Sequence, residues 1–299
     1  MNRQRPLLIG LLALLVVSIA PVQQPAHGFD FDKLKSKLDK LKTKKEELKE
    51  SKQSLDLATG NVSKKDEINI GRNVISGLLG AAPLVESNEL QRYVNQVGYW
   101  IAMQSERPDL PWSFGVINSP NVNAFAAPGG YIVLTMGLYQ LLENEAQLAA
   151  ILAHEVSHVI EKHHLDAIHD TSQKELLGAL AVKATDKKYQ DKMRKLINSG
   201  VQIYARGLDK KYEFGADRRG VVLAARAGYD PFALLDILTT LRSMNAGDDS
   251  MAVFLNTHPP LQDRIHTLEG LMDKHLKINQ VPTDNQRLQR VNQQIASAG

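Results

Sequence analysis

The chain has 299 residues, no cysteine and a net charge of +3, with 43% hydrophobic and 23% charged positions. A length of this order accommodates one or two domains with a sizeable core, and the charged fraction is that of an ordinary globular protein. Zero cysteine excludes disulfides, thiolate zinc sites, a cysteine nucleophile and lipid attachment through cysteine.

Arg3 and Arg5 precede an unbroken apolar run from Leu7 to Ala20. This run is too short to cross ~30 Å of hydrocarbon comfortably, and a small-x-small site, Ala26-His27-Gly28, follows it. Residues 1–28 are therefore expected to be a secretory signal peptide cleaved after Gly28, with an uncleaved anchor as the alternative. Without its two arginines the charge is +1, too small to hold a nucleic acid by bulk charge. The expected location is periplasmic or otherwise extracytoplasmic, with a soluble mature chain that is not a lipoprotein.

Residues 29–60 form a Lys-rich segment in which Leu34, Leu41, Leu48 and Leu55 recur every seven positions. Phe31 and Leu38 fill a second position before Lys45 and Lys52 replace it. The pattern predicts a charged helical arm with a thin apolar stripe. It is open to three readings: a solvated arm, a short coiled coil, or a clamp over the main domain. Self-association or partner docking through residues 29–58 is its functional form. Gly60-Asn61 ends it, and Ser63-x-x-Asp66 resembles a cap for the next helix.

Residues 63–280 read as one domain. Apolar residues at helical spacing mark 66–80 and 87–104, and Pro108 to Pro111 is a break. Three short strands are predicted at 112–118, 122–127 and 131–135, the last two joined into a hairpin by Pro128-Gly129-Gly130. Helices are then expected at about 144–164, 166–200, 208–227, 231–245 and 260–275, and residues 281–299 as a frayed polar tail. The fold class is α+β, with helices around a small three-stranded sheet.

The chemistry concentrates in His154-Glu155-Val156-Ser157-His158, an H-E-x-x-H pattern on a helix. At about 100° per residue, positions 154 and 158 lie about 40° apart and one turn up, so both imidazoles reach one ion. Glu155 then sits beside the metal, placed to take a proton from an attacking water. In a continuous helix His164 would stand ~15 Å along and ~80° around from His154, and Glu161 ~10 Å along, both beyond ligand reach. Glu161, His163, His164 and His169 are accordingly expected on the surface.

A third ligand is expected downstream. Glu213 and Asp217 are four apart, so both project from one helical face. Glu213 suits a ligand and Asp217 an acceptor for a histidine N–H; a solvated charged face is the alternative. Two histidines and one glutamate leave one position open, which suits a catalytic zinc, one per chain.

Four ordered motifs carry a wider resemblance: N-A-F-A-A-P-G-G, H-E-V-S-H, E-F-G-A-D and T-H-P-P-L-Q-D-R. Over about residues 63–275 the chain resembles the gluzincin metallopeptidase family that contains HtpX and the membrane CAAX prenyl protease, in its soluble BepA-like and LoiP-like bacterial branch. The resemblance implies a zincin-type fold, His154, His158 and Glu213 as zinc ligands, Glu155 as general base and Asp217 behind the ligands. It also implies that Asn123-Ala124 lies on an edge strand that pairs with substrate backbone. His258 and Arg264 are implied to line the active site, where either could stabilise an oxyanion. His258 could instead be an inhibitory ligand on zinc. A capping histidine and an ion-paired arginine are the plain alternative.

The chain is expected to depart from these relatives: it has no lipid-attachment cysteine, and neither tetratricopeptide repeats nor multiple membrane spans are expected of it. The expected function is a zinc endopeptidase acting on polypeptides, unfolded or misassembled envelope proteins in a quality-control setting. A non-proteolytic chaperone or assembly factor retaining the site is the alternative.

Overall fold

A computed structural model describes residues 62–170, 208, 210–244, 249–275 and 285–298. The expected signal peptide, the Lys-rich arm and most of the 166–200 helix lie outside these residues. Among the described residues no helix is long and apolar enough to cross a membrane.

Helix α1 (Lys64–Ala81) begins where Ser63 Oγ accepts the Asp66 N–H at 3.2 Å, as the sequence pattern predicts. Helix α2 (Asn88–Ala102) is capped by Ser87 and buries Leu90, Tyr93, Val94, Val97 and Ile101, one stripe at 3.6-residue spacing. Three strands follow: β1 (Ser113–Ile117), β2 (Ala124–Ala127) and β3 (Tyr131–Thr135). The sheet order is β1-β3-β2, with β1 parallel and β2 antiparallel to β3. Gly129 and Gly130 make the β2–β3 turn with φ of +78° and +98°, a conformation that strains any residue with a Cβ.

The two sheet edges are treated differently. On β1, Gln91 Oε1 accepts the Val116 N–H and its Nε2 donates to the Val116 carbonyl, each at 2.9 Å, while Asn95 Oδ1 takes the Phe114 N–H. Side chains of α2 thus substitute for a neighbouring strand and block that edge. The other edge, β2, borders the cleft described below.

After a short helix α3 (Met136–Tyr139), α4 (Glu145–Ile160) starts at Asn144, whose Oδ1 accepts the Gln147 N–H at 2.9 Å. Every residue from Ala146 to Val159 is buried, because α4 runs through the middle of the domain between α2, the sheet, and the helices α5 (Lys210–Arg226) and α6 (Ala233–Ser243). A 3₁₀ turn (Asp249–Met251) and α7 (Ala252–Thr257) lead to α8 (Leu261–His275).

Two expectations are corrected. Helix α4 stops at Ile160 instead of running to residue 164: Lys162 adopts φ +58° and the chain turns into a second helical run at 163–170. His163 and His164 are therefore folded back and buried, at 6% and 8% exposure, not surface residues. The frayed C-terminus is the second. Residues Gln286–Ala298 form α9, which packs on α2. Leu288 and Val291 are buried there, Ile295 packs against the core, and Arg287 pairs with Glu145 at 2.9 Å. The spacing of 288, 291 and 295 carried that helical stripe in an otherwise polar segment.

Candidate metal centre

The site is built where α4 crosses α5. That crossing is close because position 220 is glycine: a Cβ there would lie 3.0 Å from the His154 nitrogen and 3.1 Å from its Cα. The approach brings Glu213 of α5 against both histidines of α4. His154 Nε2 lies 3.1 Å from His158 Nε2 and 3.5 Å from Glu213 Oε2, and His158 Nε2 lies 3.4 Å from Glu213 Oε1. All three residues are at most 3% exposed. Bonds of about 2.0–2.1 Å in tetrahedral geometry place ligand atoms about 3.3 Å apart, so these spacings fit a zinc-sized cation. Glu213 Oε2 finds no hydrogen-bond partner among the described residues, as a ligand atom held for a cation would.

Behind this triad stands Asp217, one turn along α5. Its Oδ1 is 2.9 Å from His154 Nδ1, which fixes that proton and turns the Nε2 lone pair toward Glu213. Arg264 of α8, 2% exposed, donates from Nε to Asp217 Oδ2 at 2.9 Å and from Nη2 to Oδ1 at 2.6 Å. Its Nη1 lies 3.8 Å from Glu213 Oε2. Arg264 thus makes the ion pair of the plain alternative through Nε and Nη2, while Nη1 faces Glu213.

The electrostatics ask for a cation. Among the described residues, Glu155, Glu213 and Asp217 are buried with one guanidinium, that of Arg264; were all three ionised and both histidines neutral, as metal ligands require, a divalent ion would balance the remaining charge. Burial pushes Glu155 up to about 7. Burial also opposes charge on Asp217, but Arg264 outweighs it and holds that carboxyl down at about 2. Burial likewise works against a charged His154, yet the Asp217 and Glu213 carboxylates outweigh it and raise the ring to about 9. Burial depresses His158 well below its ordinary range.

His258 sits across the site. It precedes Pro259 and is extended at φ −119°, as a residue before proline should be. Its ring stacks on Phe254, with Nδ1 3.2 Å from the Phe254 carbonyl and Nε2 3.8 Å from Glu213 Oε2. Nδ1 also lies 3.0 Å from Thr257 Oγ1; the tautomer that donates from Nδ1 to the carbonyl has its Nε2 lone pair directed into the site. Ligand atoms of His154, Glu213 and His258 all lie within 4.8 Å of one another. Burial holds the His258 ring down at about 4, so it is neutral.

Glu155, His158, Glu213 and His258 share a cleft with Asn123, Ala124 and Ala126. Asn123 precedes β2 and spends both its backbone groups on Thr135: its N–H goes to Thr135 Oγ1 at 3.0 Å and its carbonyl accepts the Thr135 N–H at 3.0 Å. By the alternation of an antiparallel ladder, Ala124 and Ala126 are then the residues whose backbone groups point away from β3. The structure therefore brings His154, Glu155, His158, Glu213, Asp217, His258 and Arg264 together, with Asn123 and Ala124 both on the rim and the Asn123 backbone turned to β3. Sequence reasoning missed His163, which lies 3.0 Å from His158, and Glu67 with Arg107, which brace the end of α4.

A helix bearing H-E-x-x-H, crossed by a second helix bearing a glutamate, is the framework of a metallopeptidase. The model of Peptidase family M48 matches residues 88–272, and the chain belongs to that family. It is 30% identical over 214 residues to the β-barrel assembly-enhancing protease of Escherichia coli (strain K12), a match covering 70% of this chain and 44% of that protein. It is 33% identical over 180 residues to the mitochondrial metalloendopeptidase OMA1 of Arabidopsis thaliana, covering 59% of this chain and 35% of that one. A Schizosaccharomyces pombe OMA1 is 32% identical, at 59% and 51% coverage. The chain thus spans about a third to a half of the curated relatives it matches. These matches bear out the gluzincin resemblance and the α+β fold expected from it.

Proposed function

We propose that the chain is a zinc-dependent endopeptidase, with His154, His158 and Glu213 holding the metal and Glu155 as general base. The observation that carries this reading is the convergence of His154 Nε2 and His158 Nε2, 3.1 Å apart, on the Glu213 carboxylate, with His154 3.5 Å from Oε2 and His158 3.4 Å from Oε1, and with Oε2 lacking a hydrogen-bond partner among the described residues. When bound, zinc supplies Lewis acidity toward a peptide carbonyl and an attacking water. Glu155 accepts the proton of that water and passes it to the leaving amine. Asp217, held by Arg264, keeps His154 in the ligand tautomer, so we assign Arg264 a positioning role in place of an oxyanion role. Ala124 and Ala126 offer backbone groups to an extended substrate, which moves the pairing role away from the Asn123 backbone.

His258 fits a resting ligand in the tautomer that donates from Nδ1 to the Phe254 carbonyl, which turns the Nε2 lone pair toward Glu213; the opposite tautomer, with the Thr257 hydroxyl donating to Nδ1, would fit an oxyanion donor. With His258 on the metal the chain would be in a closed resting form. A permanently closed form would make the chain a non-proteolytic assembly factor, which is the second reading. The envelope setting and a role on unfolded or misassembled proteins rest on residues 1–28 and on a relative named for β-barrel assembly. Docking or self-association through residues 29–58 belongs to the same proposal.

The test is zinc content and casein cleavage for the wild type, Glu155→Gln and His258→Ala. One zinc per chain, with cleavage lost in Glu155→Gln and increased in His258→Ala, is the expected result. Zinc retained with no cleavage by wild type or His258→Ala would favour the assembly factor. No zinc would overturn the site.

A further inference from the structure

We propose that His163 is a positioning residue of the metal centre: its Nδ1 accepts the Nδ1–H of His158 and thereby aims His158 Nε2 at the metal. The inference rests on the metal-site reading above and concerns what supports the second histidine of the motif. His158 Nδ1 lies 3.0 Å from His163 Nδ1, and both rings are buried. The other nitrogen of His158 faces His154 Nε2 and Glu213 Oε1. A neutral imidazole has one donor and one acceptor, so a lone pair committed at Nε2 leaves the proton on Nδ1. His163 Nδ1 is the atom in place to receive it, which puts the proton of His163 on its own Nε2.

The two histidine ligands are thus supported in different ways. His154 leans on a carboxylate, Asp217, whereas His158 leans on a neutral ring. An uncharged acceptor suits this position, since the site already holds more buried carboxylates than cations. Two independent features hold the His163 ring. The left-handed turn at Lys162 folds the chain back so that residue 163 faces the helix it has just left. The ring then packs on Tyr212, centroids 4.3 Å apart, and Tyr212 directly precedes Glu213. His163 therefore touches the helix that carries His158 and the helix that carries Glu213. It also lines a surface groove shared with Glu161 and Arg219, which gives solvent a route to the ring.

The direct test is NMR of the zinc-loaded full chain labelled with ¹⁵N-histidine. A coupling across the N–H···N bond, from a protonated His158 Nδ1 to an unprotonated His163 Nδ1, is expected; a proton on His163 Nδ1 overturns the proposal. The second test is zinc affinity by competition with a chromophoric chelator for His163→Leu, His163→Asn and His158→Ala. Loss of a ligand's outer support weakens binding about 10- to 100-fold, so His163→Leu should fall in that range. Asn retains an acceptor in the same place and should largely restore affinity. Wild-type affinity in His163→Leu, or equal loss in Leu and Asn, overturns the positioning role. If the Leu variant does not fold, the NMR coupling decides. Wild-type affinity in His158→Ala would instead sink the metal-site reading on which the proposal stands.

Discussion

Arg264 grips both carboxylate oxygens of Asp217, at 2.9 and 2.6 Å, and the same carboxylate holds His154 Nδ1 at 2.9 Å. A buried three-member relay therefore runs from α8 through α5 to the motif helix. Its members arrive from positions 154, 217 and 264, and each would be an uncompensated polar group without the next.

Arg264→Met should destabilise the protein by about 3–5 kcal/mol, because it leaves Asp217 charged and unpaired in the interior. Urea unfolding of the metal-free protein measures this. Zinc affinity should fall with it, since Asp217 no longer holds His154 in place. Arg264→Lys keeps the charge without the planar fork and should fall between. An oxyanion role predicts a different pattern: lost turnover with stability and zinc affinity intact.

Gly220 and Gly215 lie five residues apart on α5 and should respond oppositely to alanine. At Gly220 the new methyl meets the α4 backbone at His154, so the helices must separate. A cost of about 1–3 kcal/mol and weaker zinc binding are expected. At Gly215 nothing lies within 4 Å of the added Cβ, and Ala should stabilise the helix by about 0.5–1 kcal/mol. Thermal denaturation of both variants checks the sign of each.

Buried Glu67 and partly exposed Arg107 form a second ion pair that supports the site from behind. Arg107 Nη1 and Nη2 donate to Glu67 Oε1 and Oε2 at 2.9 and 2.7 Å, and Nη1 also caps the Val159 carbonyl at 3.0 Å. Arg107→Met should cost about 3–5 kcal/mol, because it strands the buried Glu67 carboxylate; Glu67→Gln leaves a partly exposed arginine and should cost less. The double variant should cost less than their sum in a denaturant double-mutant cycle. Additive losses would mean the pair is not coupled.

Lys162→Gly should stabilise the protein by about 1 kcal/mol, because glycine adopts the left-handed turn at φ +58° without steric strain. Lys162→Val should do the reverse and disturb His163 as well. Denaturant midpoints measure the first effect and chelator competition the second.

Much of the centre was legible before folding was considered. Positions 154 and 158, and positions 213 and 217, share helix faces by local geometry alone, so H-E-x-x-H and E-x-x-x-D state which side chains point together. The strands, the β2–β3 hairpin and the Ser63 cap follow from equally local signals. Arg264 was legible only as a residue of the site, because its partner lies 47 positions away and sequence spacing says nothing about which donor faces which acceptor.

What the tertiary structure decided was everything that depends on where the chain turns and what then covers it. A lysine in the left-handed region is locally unfavourable, so no propensity argument ends α4 at Ile160; the burial of His163 and His164 against His158 offsets that cost. The choice of Ala124 and Ala126 over Asn123 rests on ladder parity, and a shift of one residue reverses which backbone groups face the cleft. Helix α9 is polar in composition and earns its place only because α2 and Tyr139 offer a surface for its thin apolar stripe. Local covalent periodicity determined the ligand pairs within each helix; the crossing of those helices, set by packing at Gly220, made them one site.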